Sequence, residues 1–162
     1  MLIKNLIDED FANYKKISMF IGCHSCSFKC DKLSGKQVCQ NGSLANASDI
    51  EISINELVKR YLSNSLSNGI VFGGLEPFED IENVIRFIDL IRKKECYDDV
   101  VIYTGYTEEE VKTQFKDYFS ALQKYQNIII KFGRFIPDQK VHFDEVLGVN
   151  LHSDNQYAKK IS

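Results

Sequence analysis

The sequence predicts an α/β protein in which a parallel β-sheet is covered by α-helices. Four short segments are apolar throughout, as strands buried on both faces are, and they alternate with stretches whose apolar residues recur at helical spacing. This alternation is typical of parallel sheets with right-handed crossover connections. A length of 162 residues suits one domain with one core, so we expect a single domain over residues 1–162.

The predicted strands are short and are bounded by glycine or by polar residues. Residues 1–16 form a mixed lead-in, interpreted as a short strand or an arm that crosses into the core. The other strands, in chain order, are Ile17–Ile21, Ile70–Phe72, Val100–Tyr103 and Ile128–Ile130, with a weaker candidate at Val146–Val149.

Three amphipathic helices are expected between these strands. The first begins at a capping box formed by Ser53 and Glu56, and the third begins in the same way at Thr107. The second follows Pro77 and ends in basic residues, which suit a helix C-terminus. The third runs to about residue 125, or is broken near Tyr118. The apolar faces of the first two helices are Ile54, Leu57, Val58, Tyr61 and Leu62, and Ile81, Val84, Ile85, Ile88 and Ile91.

The unusual sequences all follow strands. In α/β proteins the chemistry lies in loops at the carboxyl ends of the strands, and these ends meet at one edge of a parallel sheet. The loops in question are the cysteine-rich stretch after the first strand and residues 73–77, 104–106 and 131–134. Their common position predicts one site built from four loops.

Composition excludes several classes of partner. A formal net charge of −3 offers no broad cationic field for a nucleic acid, so no nucleic-acid partner is expected. The apolar runs are far shorter than the ~20 residues of a membrane span, and the N-terminal stretch turns acidic where a signal peptide stays apolar. We therefore expect a cytoplasmic protein without a membrane partner.

Four of the five cysteines fall in a cluster loop at about residues 22–41, namely Cys23, Cys26, Cys30 and Cys39. In a reducing compartment, thiols this dense are typical of metal ligands rather than disulfides. Four thiolates could close a tetrahedral zinc site, although zinc sites usually pair two close couples across a longer gap. Thiolates in one tight run are typical of an iron–sulfur cluster. Spacing alone leaves zinc, an iron–sulfur cluster and unligated core cysteines open.

Part of this loop resembles the C-x3-C-x2-C motif of the radical S-adenosylmethionine superfamily. Cys26 and Cys30 have the three-residue gap of the first two cysteines, and Cys39 with Asn41 resembles the third cysteine and its following asparagine. The sequence departs from the motif because eight residues separate Cys30 from Cys39, where the motif has two. Cys23 offers a competing register, in which it replaces Cys39.

Later segments are similar to the activating enzymes of anaerobic ribonucleotide reductases, which are glycyl-radical-enzyme activases. Gly73-Gly74-Leu75-Glu76-Pro77 resembles the G-G-E-P segment of the superfamily, with Leu75 as an extra residue. Weaker similarities lie at Tyr103-Thr104-Gly105-Tyr106 after the third strand, at the glycine-containing loop Gly133-Arg134-Phe135, and at Ser153-Asp154-Asn155-Gln156 near the C-terminus. The residues that the resemblance assigns to cofactor binding are Asn41, Gly73, Gly74, Glu76, Tyr103, Thr104, Arg134, Ser153 and Asn155.

The resemblance implies a partial, open β/α barrel and a 4Fe-4S cluster on Cys26, Cys30 and Cys39, with one iron left for S-adenosylmethionine. It further implies radical chemistry on a glycine of a partner reductase under anaerobic conditions, with electrons from a donor such as flavodoxin. One side of the barrel is expected to stay open for a loop of that partner. The alternatives are a non-catalytic, zinc-stabilised interaction module and a radical enzyme with a different substrate.

Overall fold

A computed structural model describes all residues from Met1 to Ser162. A seven-stranded sheet runs in the order β3-β1-β2-β4-β5-β6-β9, and β7 and β8 form a separate hairpin. The strands are β1 (Leu2–Asp10), β2 (Ser18–Cys23), β3 (Ile50–Glu51), β4 (Gly69–Gly73), β5 (Asp99–Tyr103), β6 (Ile128–Phe132), β7 (His142–Asp144), β8 (Val149–Leu151) and β9 (Tyr157–Lys160). The helices are α1 (Lys29–Ser34), α2 (Gly42–Ala45), α3 (Ile54–Ser63), α4 (Ile81–Lys93), α5 (Glu108–Gln114) and α6 (Lys116–Leu122), and a 3₁₀ turn spans Pro77–Asp80.

The parallel centre of the sheet is confirmed. Strands β2, β4, β5 and β6 are parallel neighbours, and Gly22 at the end of β2 pairs with Gly73 at the end of β4. The edges are antiparallel: β1 and β3 lie beyond β2, and β9 lies beside β6. A strand or an arm was expected in residues 1–16, where β1 lies, whereas β3 and β9 were not expected. The sheet with its two antiparallel edges is open, so the predicted β/α barrel is not confirmed.

One face of the sheet packs against the helices and forms the larger core. Alternate residues of the parallel strands point into it, as the pleat requires. Phe72 of β4 meets Phe87 of α4 edge to face, with ring centroids 5.3 Å apart, and both side chains are fully buried. The predicted apolar stripes therefore account for this layer, except that Leu62, assigned to the buried face of α3, is 43% exposed.

The opposite face of the sheet is covered by the C-terminal part of the chain. Leu147 and Leu151 join Val71, Val101 and Ile129 in a second, smaller buried cluster. Both faces of the sheet are therefore packed against other parts of the chain. The open side for a loop of a partner stays a prediction.

Three local predictions need correction. Of the strand placed at Val146–Val149, only Val149 is in a strand, as the first residue of β8. The preceding residues form the turn between β7 and β8, because the Asp144 carboxylate accepts from the Leu147 N–H (2.8 Å) and Gly148 has a φ of +73°. The third helix breaks at Phe115, three residues before the expected position, and thereby separates α5 from α6. The cluster loop holds the short helices α1 and α2, which were not expected.

Both predicted helix starts are present. Thr107 forms a complete capping box with Glu110, whereas Ser53 accepts from the Glu56 N–H without the reciprocal bond. No helix has both the length and the apolar character needed to span a membrane.

We expect Phe87→Ala to lower the free energy of unfolding by about 3–5 kcal/mol, because it removes a buried aromatic ring and leaves a cavity beside Phe72. Urea unfolding of the apoprotein measures the change. Phe11, which is 72% exposed, provides the control, and Phe11→Ala is expected to stay within about 0.5 kcal/mol of the wild type. Equal losses from the two substitutions would contradict the assignment of Phe87 to the core.

Candidate functional site

A cleft lies at the carboxyl edge of the parallel strands, where the sequence predicted one site. Each of the four strands contributes from the loop that follows it, so the predicted convergence is confirmed. The lining residues, in chain order, are Cys26, Ser27, Lys29, Cys30, Glu76, Gly105, Tyr106 and Arg134.

The first turn of the cluster loop holds Cys26 and Cys30. Phe28 adopts a left-handed conformation (φ 52°), and its N–H donates to the Cys26 Sγ at 3.3 Å. The Glu79 carboxylate accepts from the Ser27 N–H at 2.6 Å and so connects this turn to the 3₁₀ turn after β4. The spacing of the cysteines gave no indication of this role for Glu79.

The insertion between Cys30 and Cys39 folds back on itself. It forms α1 and reverses at Gly35, which has a φ of +66°. The Asp31 Oδ1 then accepts from the N–H groups of Val38 (2.7 Å) and Cys39 (2.8 Å). As a result Cys39 lies close enough to Cys30 that it contributes, after burial, to raising the pKa of the Cys30 thiol.

Cys23 occupies a different environment from the other three thiols of the loop. It ends β2, is fully buried and belongs to the larger core, whereas Cys26, Cys30 and Cys39 are only partly buried. Burial raises the pKa of the Cys23 thiol far above its ordinary value. Burial also raises the pKa of the Cys26 thiol, to about 12, so the registers differ in the location of Cys23 in the core rather than in thiol pKa. The register Cys26, Cys30 and Cys39 stays a prediction.

Glu76 is a buried carboxyl group at the centre of the site. Its Oε1 accepts from the Thr104 hydroxyl (2.7 Å) and the Phe78 N–H (3.1 Å), and its Oε2 accepts from the Gly105 N–H (2.8 Å). Burial raises the pKa of Glu76 to about 7 in spite of these three bonds. Because two carboxylate oxygens offer about four acceptor positions, one position on Oε2 is left for a donor in the cleft.

Lys131 is a buried cation that the sequence interpretation named only as part of a loop. It belongs to β6, is 6% exposed, and donates one hydrogen bond, to the Gly133 carbonyl at 2.6 Å. Burial lowers the pKa of Lys131 to about 8, whereas the nearby Glu76 and Cys30 act in the opposite direction. The sequence signal for this buried cation was a lysine inside an otherwise apolar strand, Ile-Ile-Ile-Lys-Phe.

Arg134 lines the cleft from the loop after β6. Its guanidinium pairs with the Glu110 carboxylate at 2.5 Å, and its Nε is buried without a partner. Asn155 donates to the Arg134 carbonyl at 2.9 Å, and the Ser153 hydroxyl accepts from the Ile136 N–H at 3.3 Å. Ser153 and Asn155 thus support the loop that carries Arg134 and do not line the cleft.

Two other predicted binding residues, Tyr103 and Asn41, do not line the cleft. Tyr103 donates its hydroxyl proton to the Asn13 carbonyl on the far face of the sheet, and Tyr106 lines the cleft instead, with the Lys29 ammonium 4.2 Å from its ring centroid. Asn41 is exposed and precedes α2 without a side-chain capping bond.

The glycine pair at the end of β4 leaves room for neighbouring side chains of the protein itself. A Cβ on Gly74 would lie 2.5 Å from the Leu44 Cδ2, and Gly74 has a φ of +75°. A Cβ on Gly73 would lie 3.3 Å from both Phe20 and Tyr103. These glycines therefore let α2 and its neighbours pack against the strand end, whatever they contribute to ligand binding.

Three thiols of the cluster loop are the candidate ligands. No group of three or more Cys, His, Asp or Glu side chains is arranged to hold one metal ion. A cubane spreads its thiolates more widely than a single ion does, and three partly buried thiols on one loop are the ligands that it takes. The enclosed part of the cleft is about 30 Å³, room for about one or two water molecules.

Comparison with known proteins gives one likeness to a curated protein. Over 97 residues the chain is 34% identical to the probable dual-specificity RNA methyltransferase RlmN of Caldicellulosiruptor saccharolyticus. The aligned part is 56% of this chain and 26% of the methyltransferase, so the chain spans about a quarter of that relative's length. No solved structure matches the chain.

The family comparison covers most of the chain. Residues 15–156 match the family described as a 4Fe-4S single cluster domain, and the match includes all three candidate ligand cysteines. Together with the likeness to the methyltransferase, it implies the two predicted cofactors, a 4Fe-4S cluster and S-adenosylmethionine, and supports a place in the radical S-adenosylmethionine superfamily. The chain belongs to the 4Fe-4S single cluster domain family.

Proposed function

We propose that this protein is a radical S-adenosylmethionine enzyme that generates a glycyl radical on a partner anaerobic ribonucleotide reductase. The observation that carries the proposal is the convergence of four strand-end loops on one cleft, which holds two candidate cluster ligands beside a buried carboxyl group and a guanidinium. The electron donor would be a reduced carrier such as flavodoxin.

Cys26, Cys30 and Cys39 would hold the cluster. When bound, the cluster and S-adenosylmethionine supply the one-electron chemistry that removes a hydrogen atom from an unactivated carbon, and the protein supplies ligation and orientation. Three thiolates leave one iron of a four-iron cluster without a protein ligand. The burial of Cys23 in the core is consistent with that count, since it removes the fourth thiol of the loop from the site.

Glu76 and Arg134 would orient the methionine end of S-adenosylmethionine. The free acceptor position on Glu76 Oε2 suits an ammonium, and a charge-assisted bond there is stronger than a neutral one. Arg134 offers a buried, unpartnered Nε to a carboxylate. The two residues follow different strands and both line the cleft, so a ligand with both groups could contact them together.

The choice of a reductase as substrate rests on the similarities after the third strand and near the C-terminus. The likeness to an RNA methyltransferase favours a second candidate, a radical enzyme that acts on another substrate such as RNA. The formal net charge of −3 supports the first candidate, because RNA binding is usually carried by a cationic surface.

The ligand set gives the first prediction. Cys39→Ala should abolish cluster assembly, because it removes one of three thiolates, whereas Cys23→Ala should retain the cluster. Iron and sulfide analysis and absorption spectra of anaerobically reconstituted protein measure both. Cys96→Ala, outside the loop, is the control and should assemble a cluster as the wild type does. If Cys23→Ala loses the cluster and Cys39→Ala keeps it, the register is shifted by one cysteine.

Glu76 gives the second prediction, for apoprotein without S-adenosylmethionine. Folded Glu76 keeps its proton up to a pKa of about 7, whereas the unfolded chain releases it near 4.5. The folded state thus binds the extra proton between these values, and its stability falls by about 3 kcal/mol as pH rises from about 4.5 to 7. Glu76→Gln should lack this loss. Urea unfolding at pH 5 and pH 8 measures the free energy of unfolding of the wild type and of Glu76→Gln. An equal change between the two pH values in both proteins would contradict the prediction.

The third prediction concerns activity. Reduced, cluster-loaded protein mixed with S-adenosylmethionine and an anaerobic ribonucleotide reductase should give the doublet of a glycyl radical in the EPR spectrum. Cys26→Ala should give none. Consumption of S-adenosylmethionine without a glycyl radical on any tested reductase, together with modification of added RNA, would favour the second candidate.

A further inference from the structure

The insertion in the cluster loop lengthens the chain between the second and third candidate ligands. Eight residues separate Cys30 from Cys39, and a flexible segment of that length would leave the third thiol spread over many positions. Closing the segment has an entropic cost that the short motif spacing avoids. Some interaction has to hold Cys39 near Cys30 before a cluster is present.

Asp31 supplies that interaction. It directly follows Cys30 in α1, and its Oδ1 accepts from the N–H groups of Val38 and Cys39 at 2.7 and 2.8 Å. Neither of these N–H groups donates to a backbone carbonyl. One carboxylate oxygen thus joins the start of the insertion to its end.

The surrounding backbone makes this bond pair possible. Gly35 caps α1 in the left-handed conformation and turns the chain back toward its start. Beyond Cys39 the chain continues into α2, and the Cys39 carbonyl accepts from the Gly42 N–H at 3.3 Å. Cys39 is therefore held on its N-terminal side by Asp31 and on its C-terminal side by the start of α2.

We propose that Asp31 is a positioning residue that closes the insertion and delivers Cys39 to the cluster site. The inference rests on the proposed ligand set. Asp31 does not itself ligate iron; it acts through the backbone of Cys39. Its loss should leave Cys26 and Cys30 in place and release the third thiol.

The test uses two variants and one control on the full chain. Asp31→Ala removes the acceptor, and Asp31→Asn keeps a neutral acceptor oxygen of similar geometry. Lys32→Ala changes the next residue of α1, which is exposed and forms no side-chain hydrogen bond or ion pair. Amide hydrogen exchange of the apoprotein reports on Val38 and Cys39, and the rate of iron loss to a chelator reports on the reconstituted cluster.

In Asp31→Ala we expect the amides of Val38 and Cys39 to exchange at least ~10-fold faster, and iron to be lost ~10–100-fold faster, the range seen when supporting contacts of metal ligands are removed. Asp31→Asn should fall between Asp31→Ala and the wild type, and Lys32→Ala should match the wild type. The midpoint of global unfolding should not move, because α3 and the sheet are untouched.

Unchanged exchange and unchanged iron loss in Asp31→Ala would overturn the proposal. Faster amide exchange throughout the chain, with a lower unfolding midpoint in both Asp31 variants, would also overturn the proposal. That result would show that Asp31 stabilises the whole fold rather than the position of Cys39. No readout includes a partner reductase or S-adenosylmethionine, so failure to activate a reductase leaves the proposal standing. If no cluster assembles in the wild type, the proposed function fails, and amide exchange still decides whether Asp31 holds Cys39.

Discussion

The parallel register of β2, β4, β5 and β6 is the constraint on which the site depends. Backbone hydrogen bonds between these strands fix where each one ends, and every end then delivers its loop to the same edge of the sheet. Glu76 receives hydrogen bonds from Thr104 and Gly105 only because the strands that precede them are neighbours in register. The site is therefore assembled by the sheet, and the loops contribute the individual side chains.

Two acidic side chains then order the cluster loop. Glu79, after β4, holds the turn between Cys26 and Cys30, and Asp31 holds the return of the chain to Cys39. Both are carboxylates that accept from backbone N–H groups, which buried or half-buried loops must satisfy in some way. The cysteine spacing can thus depart from the motif while Cys39 stays near Cys30. The hydrogen bonds to the Asp31 carboxylate hold the two ends of the insertion together.

The sequence predicted what depends on periodicity and missed what depends on contacts distant in sequence. The four parallel strands and the helices at Ser53, Pro77 and Thr107 follow from local apolar patterns and caps, and they are present. The antiparallel edges could not be predicted, because pairing partners of a half-exposed strand are set by tertiary packing. The same reason explains Tyr103, whose hydroxyl donates to the distant Asn13 carbonyl, and Lys131, whose burial in β6 depends on parts of the chain remote in sequence.

The charges of the cleft are complementary to an amino acid rather than to a simple ion. Burial raises the pKa of Glu76, which lines the cleft, and an ammonium beside Glu76 would favour its ionised form. Arg134 lines the cleft as well and could pair with a carboxylate. A ligand that carries both groups could contact both side chains at once, whereas a lone cation could pair only with Glu76. This complementarity supports the proposal that the methionine end of S-adenosylmethionine lies between Glu76 and Arg134.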